Sequence, residues 1–138
     1  MEYKKILMVC LGNICRSPLA QGILSSKVNE LGIEVDSAGT ANYHSGNSPD
    51  PRSIAVGLKN NIDISLQKAR QFTMHDFKVF SIIYVMDHCN YKNILALMPS
   101  KEDQQNLQDP YHEGTEAFDN CYSLLESACE RIAKTLRK

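Results

Sequence analysis

A cysteine and an arginine with five residues between them fall in the segment from Cys10 to Ser17, whose sequence is CLGNICRS. A thiolate is a strong nucleophile, and a guanidinium can offer two parallel N–H donors to the oxygens of a phosphate group. The spacing alone is weak evidence, because the chain has five cysteines and chance pairs are common. Its position between a predicted strand and a predicted helix makes it more specific.

A loop of this length can wrap so that successive backbone N–H groups converge on one point, with the positive end of the following helix behind them. Gly12 and Asn13 tolerate the positive φ that such a wrap needs. The positive potential of these N–H groups and of the helix end favours a thiolate at Cys10. Arg16 can clamp the phosphate, and the Ser17 hydroxyl can donate to the sulfur. The residues predicted to bind phosphate are Leu11, Gly12, Asn13, Ile14, Cys15 and Ser17.

The elements on either side of this loop can be predicted from their apolar patterns. Residues 6–9 are a continuous apolar run, which is typical of a parallel strand covered on both faces. Ser17 and Pro18 make a good first helical turn, and Gly32 makes a good stop. The apolar residues between them recur on one helical face: Leu19, Ile23, Leu24, Val28 and Leu31.

The rest of the chain continues to alternate strands and helices. This predicts a three-layer α/β/α open parallel sheet, with the phosphate-binding loop between the first strand and the first helix and the ligand site at the carboxyl ends of the strands. The further predicted elements are a strand at 33–35, a turn-rich stretch from Ser37 to Asp50, a helix from Asp50-Pro51 bearing Ile54 and Leu58, a short helix opened by Thr73 and Asp76, a strand at 82–86, a helix at 88–98, and a last helix from about residue 117 with Cys121 and Cys129 in the core.

Length and composition limit the class of protein. At 138 residues we expect one domain, spanning residues 1–138. The formal net charge of −1 gives no overall basic face, so neither nucleic acid nor a membrane is an expected partner. The run at 6–9 is too short for a signal sequence, which predicts a cytoplasmic protein. The odd number of cysteines favours reduced thiols, and we expect no metal and no cofactor.

Six short motifs follow one another along the chain: VCLGNICRSP at 9–18, DSAGT at 36–40, SPDPR at 48–52, KARQ at 68–71, MD at 86–87 and DPY at 109–111. These motifs are distributed over nearly the whole chain, and in them the sequence resembles the low-molecular-weight protein tyrosine phosphatases. The resemblance implies hydrolysis of phosphotyrosine in proteins, and of small aryl phosphates, through a phosphocysteine intermediate at Cys10.

The resemblance also implies roles for residues far from the loop. Asp109 would protonate the leaving tyrosine and then activate water, which makes physical sense because a phenol with a pKa of about 10 leaves poorly without an acid. Tyr43 and Tyr111 would flank the phosphotyrosine ring at the rim of the pocket. Apart from the resemblance, Cys15 lies five positions from Cys10 in the same loop, so it could capture an oxidised Cys10 as a reversible disulfide; the alternative is a buried structural thiol.

The sequence departs from the family pattern in three places. His112 replaces a common second tyrosine, and Gln67 replaces a common histidine. The polar stretch 99–108 has Leu107 as its one strongly apolar residue, so the fourth, edge strand is expected to be missing or shortened. The strand at 82–86 would then lie at a sheet edge. We expect a monomer in which 99–108 covers this edge, with an edge-paired dimer as the alternative.

Two other functions fit the sequence. An arsenate reductase shares the fold and a similar cysteine loop, with Cys89 as the candidate resolving thiol, but it would leave Asp109 without a role. A phosphotyrosine-binding module or phosphate-carrying subunit would use the loop to hold phosphate without turnover. Hydrolysis of an aryl phosphate separates the enzyme from the binding module.

Overall fold

The structure is a computed structural model that describes residues 5–10, 12–13, 16–41, 45–85, 92–94, 96, 107–108 and 118–137. Among these, side chains are described except at 107–108 and 118–124.

A four-stranded sheet forms the centre of the described fold. The strands are β1 (Lys5–Cys10), β2 (Glu34–Gly39), β3 (Ile82–Val85) and β4 (Leu107–Gln108), in the order β2-β1-β3-β4. Every neighbouring pair is parallel, and Cys10 lies opposite Gly39 in the register of β1 and β2. The predicted open parallel sheet is therefore confirmed.

Side chains of β1 alternate between two apolar layers, as expected for a strand covered on both faces. Ile6, Met8 and Cys10 belong to the layer that the first and last helices cover. Leu7 and Val9 belong to the layer on the other face, with Phe72, Phe77 and Ile94 among its members. These five of the six β1 residues are at most 4% exposed, which confirms the three-layer arrangement.

The first helix, α1 (Arg16–Val28), follows the cysteine loop and continues into a turn of 3-10 helix at Asn29–Leu31. Gly32 ends it with a φ of 74°, the left-handed conformation that glycine adopts without strain. The predicted apolar stripe is fully buried from Leu19 to Val28, but Leu31 is 44% exposed. Its prediction as a core residue is wrong because the tighter 3-10 turn takes it out of the helical stripe.

The second helix, α2 (Pro51–Lys59), begins as predicted, with the Asp50 carboxylate accepting a hydrogen bond from Arg52 N at 2.8 Å. Its buried face differs from the prediction: Ser53, Val56 and Gly57 are buried. Ile54 is half-buried and Leu58 is 54% exposed. A Cβ at Gly57 would lie 2.7 Å from the carbonyl oxygen of Ile62, so the close packing of the following turn requires glycine there.

The short helix α3 (Asp76–Val79) also starts as predicted, because the Asp76 carboxylate accepts a hydrogen bond from Thr73 N at 2.8 Å. The C-terminal helix, Phe118–Leu136, buries Leu125, Cys129 and Ile132 against α1. This confirms the core position of Cys129, while the side chain of Cys121 lies outside the described residues. None of the described helices combines the length and apolar character that crossing a membrane requires.

Two strand predictions need correction. Strand β2 extends to Gly39, through residues predicted to form a turn-rich stretch, because its end pairs with β1 on one side and Gly39 bridges to Gln71 on the other. Strand β4 is present in the shortened form: Leu107 and Gln108 pair with Ile83 and Tyr84, so the prediction that β3 lies unpaired at the edge is wrong for those two residues.

Candidate active site

Cys10 is the last residue of β1 and lies at the carboxyl edge of the sheet, where ligand sites of open parallel sheets occur. Its side chain is 4% exposed and continues the row of Ile6 and Met8 toward α1. Its carbonyl oxygen accepts a hydrogen bond from Thr40 N at 2.9 Å, which ties the end of β1 to the residue after β2. The sulfur is therefore held at a fixed place beside the start of α1.

Asn13 is buried in the loop after Cys10, and its backbone has a φ of 58°. This confirms the predicted positive φ at Asn13, a conformation in which asparagine is one of the few acceptable residues. Its side-chain amide Nδ2 donates to Ser17 Oγ at 2.8 Å and to Ser37 Oγ at 2.9 Å. Asn13 thus joins the loop, the first turn of α1 and strand β2.

The orientation of the Asn13 amide follows from its third partner. Arg70 N lies 3.0 Å from Asn13 Oδ1, and because a backbone N–H can only donate, the oxygen of the amide must face Arg70. Both amide hydrogens are then committed to Ser17 and Ser37. The Ser37 hydroxyl in turn donates a hydrogen bond to Gln21 Oε1 at 2.6 Å.

This arrangement leaves the Ser17 hydroxyl able to donate to the Cys10 sulfur. Ser17 Oγ is 3.0 Å from Cys10 Sγ and is fully buried. Since Ser17 already accepts a hydrogen bond from Asn13, its single hydroxyl proton is available to the sulfur. A hydroxyl donor stabilises a thiolate, as an attacking or leaving group, more than it stabilises a thiol.

The side chain of Arg70 is held by two carboxylates, and we call these three residues, Asp36, Arg70 and Asp76, the Arg70 anchor. Arg70 donates to Asp76 through both terminal nitrogens, at 3.1 and 3.0 Å, and to Asp36 at 3.4 Å. Burial lowers the pKa of Arg70, but the hydrogen bonds and charges of Asp76 and Asp36 outweigh it and raise the pKa above its ordinary value. The guanidinium therefore stays charged.

Arg16 is the first residue of α1 and is half-buried at the helix end that carries the positive partial charge. The structure thus brings together five of the predicted site residues between the end of β1 and the first turn of α1: Cys10, Gly12, Asn13, Arg16 and Ser17. The others, Leu11, Ile14, Cys15, Tyr43, Asp109 and Tyr111, lie outside the described residues, as do Cys89 and His112.

The sequence predicted no role in the site for Ser37, Gln21 or the Arg70 anchor, although Ser37 and Arg70 lie in two of the quoted motifs and Asp76 was predicted as a helix start. Asn13 was predicted for its backbone and not for its amide. Gln67, which replaces the histidine common in the family, also contacts α1, because its Nε2 donates to Pro18 O at 3.1 Å. Among the described residues, its buried Oε1 has no hydrogen-bond partner.

Comparison with known proteins identifies the family to which the chain belongs. The sequence profile described as low molecular weight phosphotyrosine protein phosphatase matches residues 5–138. The chain therefore belongs to this family. The match favours a phosphatase over the arsenate reductase alternative.

Individual relatives agree along nearly their whole length. The low molecular weight phosphotyrosine protein phosphatase of Schizosaccharomyces pombe is 35% identical, with 96% of each chain covered. That of Dictyostelium discoideum is 34% identical, covering 96% of this chain and 93% of its own. A product-state mimic crystal structure of a protein tyrosine phosphatase from Entamoeba histolytica superposes with a TM-score of 0.90 at 31% identity, covering 97% of this chain and 96% of that one.

Proposed function

We propose that the chain removes phosphate from protein tyrosine, and from small aryl phosphates, through a phosphocysteine intermediate on Cys10. Family membership makes it a low-molecular-weight protein-tyrosine-phosphatase, a phosphoric monoester hydrolase. The observation that supports Cys10 as the nucleophile is its position: a buried thiol at the end of β1, 3.0 Å from the Ser17 hydroxyl in the first turn of α1.

In the first step the Cys10 thiolate attacks the phosphorus atom. An S–P bond forms, the bond from phosphorus to the phenolic oxygen breaks, and Asp109 gives its proton to that oxygen. Arg16 and the loop N–H groups hold the phosphate oxygens and stabilise the charge that develops on them.

In the second step a water molecule attacks the phosphocysteine. Asp109, now a carboxylate, takes a proton from the water, the S–P bond breaks, and its electron pair returns to sulfur. The Ser17 hydroxyl donates to the thiolate as it leaves. Inorganic phosphate is released, and both Cys10 and Asp109 are ready for another cycle.

Selection of phosphotyrosine is assigned to Tyr43 and Tyr111 as ring contacts at the rim. A nucleophile that is only 4% exposed favours the long phosphotyrosine side chain over the shorter phosphoserine. Phosphotyrosine proteins are the proposed partners.

Four further features belong to this proposal. The chain forms a single domain and acts in the cytoplasm. It is a monomer, and the pairing of β4 with Ile83 and Tyr84 supports this state by covering part of the β3 edge. An oxidised Cys10, as a sulfenic acid formed by peroxide, condenses with the Cys15 thiol to give a disulfide and water.

The first test measures turnover of para-nitrophenyl phosphate and a phosphotyrosine peptide by the wild type and by Cys10→Ser. The variant should lose at least about 10⁴-fold in kcat because a serine hydroxyl stays protonated at neutral pH. It should still bind phosphate or vanadate through Arg16 and the loop. Residual activity within tenfold of wild type would exclude the mechanism, and a wild type that binds phosphate without any turnover would establish the binding-module alternative.

The acid is tested with leaving groups of different acidity. Asp109→Ala should slow hydrolysis of phosphotyrosine by about 100-fold or more, and should slow it much less for aryl phosphates with acidic phenols, which leave without a proton. Equal losses across the series would reject Asp109 as the acid.

A further inference from the structure

We propose that the Arg70 anchor positions the side chain of Asn13 and so fixes the direction of the hydrogen bond that Ser17 gives to Cys10. Asp36, Arg70 and Asp76 are then positioning residues for the phosphatase reaction. They act through Asn13 and touch no reacting atom themselves. The inference rests on the proposed role of Cys10 as nucleophile.

The backbone of Arg70 is fixed beside the end of the sheet. Arg70 O accepts from Gly39 N at 2.8 Å, and Phe72 N donates to Gly39 O at 2.7 Å. Gly39 is the register partner of Cys10. The Arg70 N–H that reaches Asn13 therefore extends from a segment that is paired with the end of β2, the strand next to the one that carries Cys10.

The side chain of Arg70 supplies a second attachment, to a different element. Asp76, 4% exposed, begins α3 and accepts from Thr73 N in addition to Arg70. A bidentate pair between a guanidinium and a buried carboxylate is geometrically selective. The anchor thus links α3 to residue 70, and residue 70 presents its N–H to Asn13.

The direction of the Asn13 amide has a chemical consequence. If Arg70 N moved away, the amide could turn over and place Oδ1, instead of Nδ2, against Ser17. Ser17 would then donate its single proton to Asn13 and present only lone pairs to Cys10 Sγ. The thiolate would lose a donor both as attacking group and as leaving group, so kcat should fall more than KM rises, because Arg16 and the loop N–H groups still bind the phosphate.

The principal test is Arg70→Gln, which removes the charge and the bidentate geometry. We expect kcat to fall about tenfold while KM changes less than about twofold. The matched control is Lys27→Gln: Lys27 is also a cation between two carboxylates, Glu126 at 2.6 Å and Glu130 at 3.0 Å, but it joins α1 to the C-terminal helix. The control should lower the thermal midpoint and leave kcat unchanged. A loss of thermal stability in both variants with kcat unchanged in both would overturn the proposal.

Two further variants test the route through Asn13. Arg70→Lys keeps the charge and should recover part of the lost kcat. In an Asn13→Ala background, Arg70→Gln should have little further effect on kcat, because residues acting through one contact are not additive. Full additivity of the two losses would show that Arg70 acts by another route and would overturn the proposal.

Loss of folding is anticipated, since Arg70→Gln leaves the Asp76 charge buried without its partner. The double variant Arg70→Gln with Asp76→Asn removes both charges, and it should show the same fall in kcat.

Alkylation of Cys10 by iodoacetamide, read by mass spectrometry at one neutral pH, needs no phosphatase activity. Slower alkylation in the Arg70 variant than in the Lys27 control supports the positioning role, and equal rates overturn it. Failure of the proposed function would show itself separately, as an inactive wild type.

Discussion

Two buried cysteines lie in the same apolar layer between the sheet and α1, yet their surroundings are opposite in kind. Cys10 is 4% exposed and Cys129 is 1% exposed. Cys10 Sγ faces the hydroxyl of Ser17 at 3.0 Å, at the start of α1. Cys129 Sγ, on the C-terminal helix, donates to the carbonyl oxygen of Ala20 at 3.7 Å.

The difference lies in the hydrogen-bond role that each sulfur plays. At Cys10 the partner can donate, which suits a thiolate; at Cys129 the partner is a carbonyl acceptor, which requires the protonated thiol. Burial, followed by the charge of Glu126, raises the pKa of Cys129 to about 12. Burial and the charge of Glu126 therefore keep Cys129 protonated and unreactive, whereas the proposed reactivity of Cys10 needs a donor such as the Ser17 hydroxyl beside its sulfur.

Among substitutions in the first turn of α1, which keep the Cys10 thiol, Arg16→Lys should have the largest effect on activity. A planar guanidinium that can clamp two phosphate oxygens is replaced by a point charge. The transition state should lose on the order of 3 kcal/mol of stabilisation, so kcat/KM should fall about 100-fold. Steady-state kinetics with para-nitrophenyl phosphate measures it. A change below about twofold would exclude the clamp.

The contrast also shows how far the sequence could predict the site. The loop, its strand and its helix are local in sequence, so the apolar run before Cys10, the start of α1 and the positive φ of Asn13 were all predictable. The partners of the Asn13 amide were not, since Ser37 and Arg70 lie 24 and 57 positions away and meet it only through the sheet.

The errors in the fold have similar causes. A strand of two residues, Leu107–Gln108, is too short to carry a period, and parallel pairing with β3 decides it. Leu58 continues the pattern of α2 but is exposed, because the burial of a helix face depends on what packs against it. Tertiary contacts that join distant segments cannot be read from one segment's pattern.

A smaller effect is expected from Ser17→Ala, which removes the donor that distinguishes the two thiols. Since the proposed Cys10 thiolate loses one hydrogen bond in a buried site, kcat should fall by about tenfold. The matched control is Ser26→Ala, also on α1, whose hydroxyl donates to Ile23 O at 2.7 Å on the exposed side. The control should keep kcat, and an equal loss in both variants would contradict the role of Ser17.

The smallest effect on activity should come from the other cysteine. Cys129→Ala should leave kcat unchanged within about twofold, because this thiol donates to the Ala20 carbonyl and has no proposed role in the reaction. At neutral pH it should lower the free energy of unfolding by about 1–2 kcal/mol, the cost of a small cavity in the core. Urea unfolding followed by circular dichroism, with reductant present, measures this difference.

The sign of that difference should reverse at alkaline pH. An unfolded Cys129 thiol ionises near its ordinary value of 9.0, whereas the folded thiol keeps its proton until about 12. Between these values the folded state binds more protons, so Cys129 loses its stabilising contribution as pH rises, by on the order of 1 kcal/mol per pH unit. The nearby charges, Glu126 and Lys27, are present in both proteins and cancel in the comparison. Cys129→Ala should therefore become the more stable protein by about pH 11. A difference that stays constant from pH 8 to pH 11 would show that burial does not hold this thiol protonated, and the contrast between the two cysteines would then need another cause.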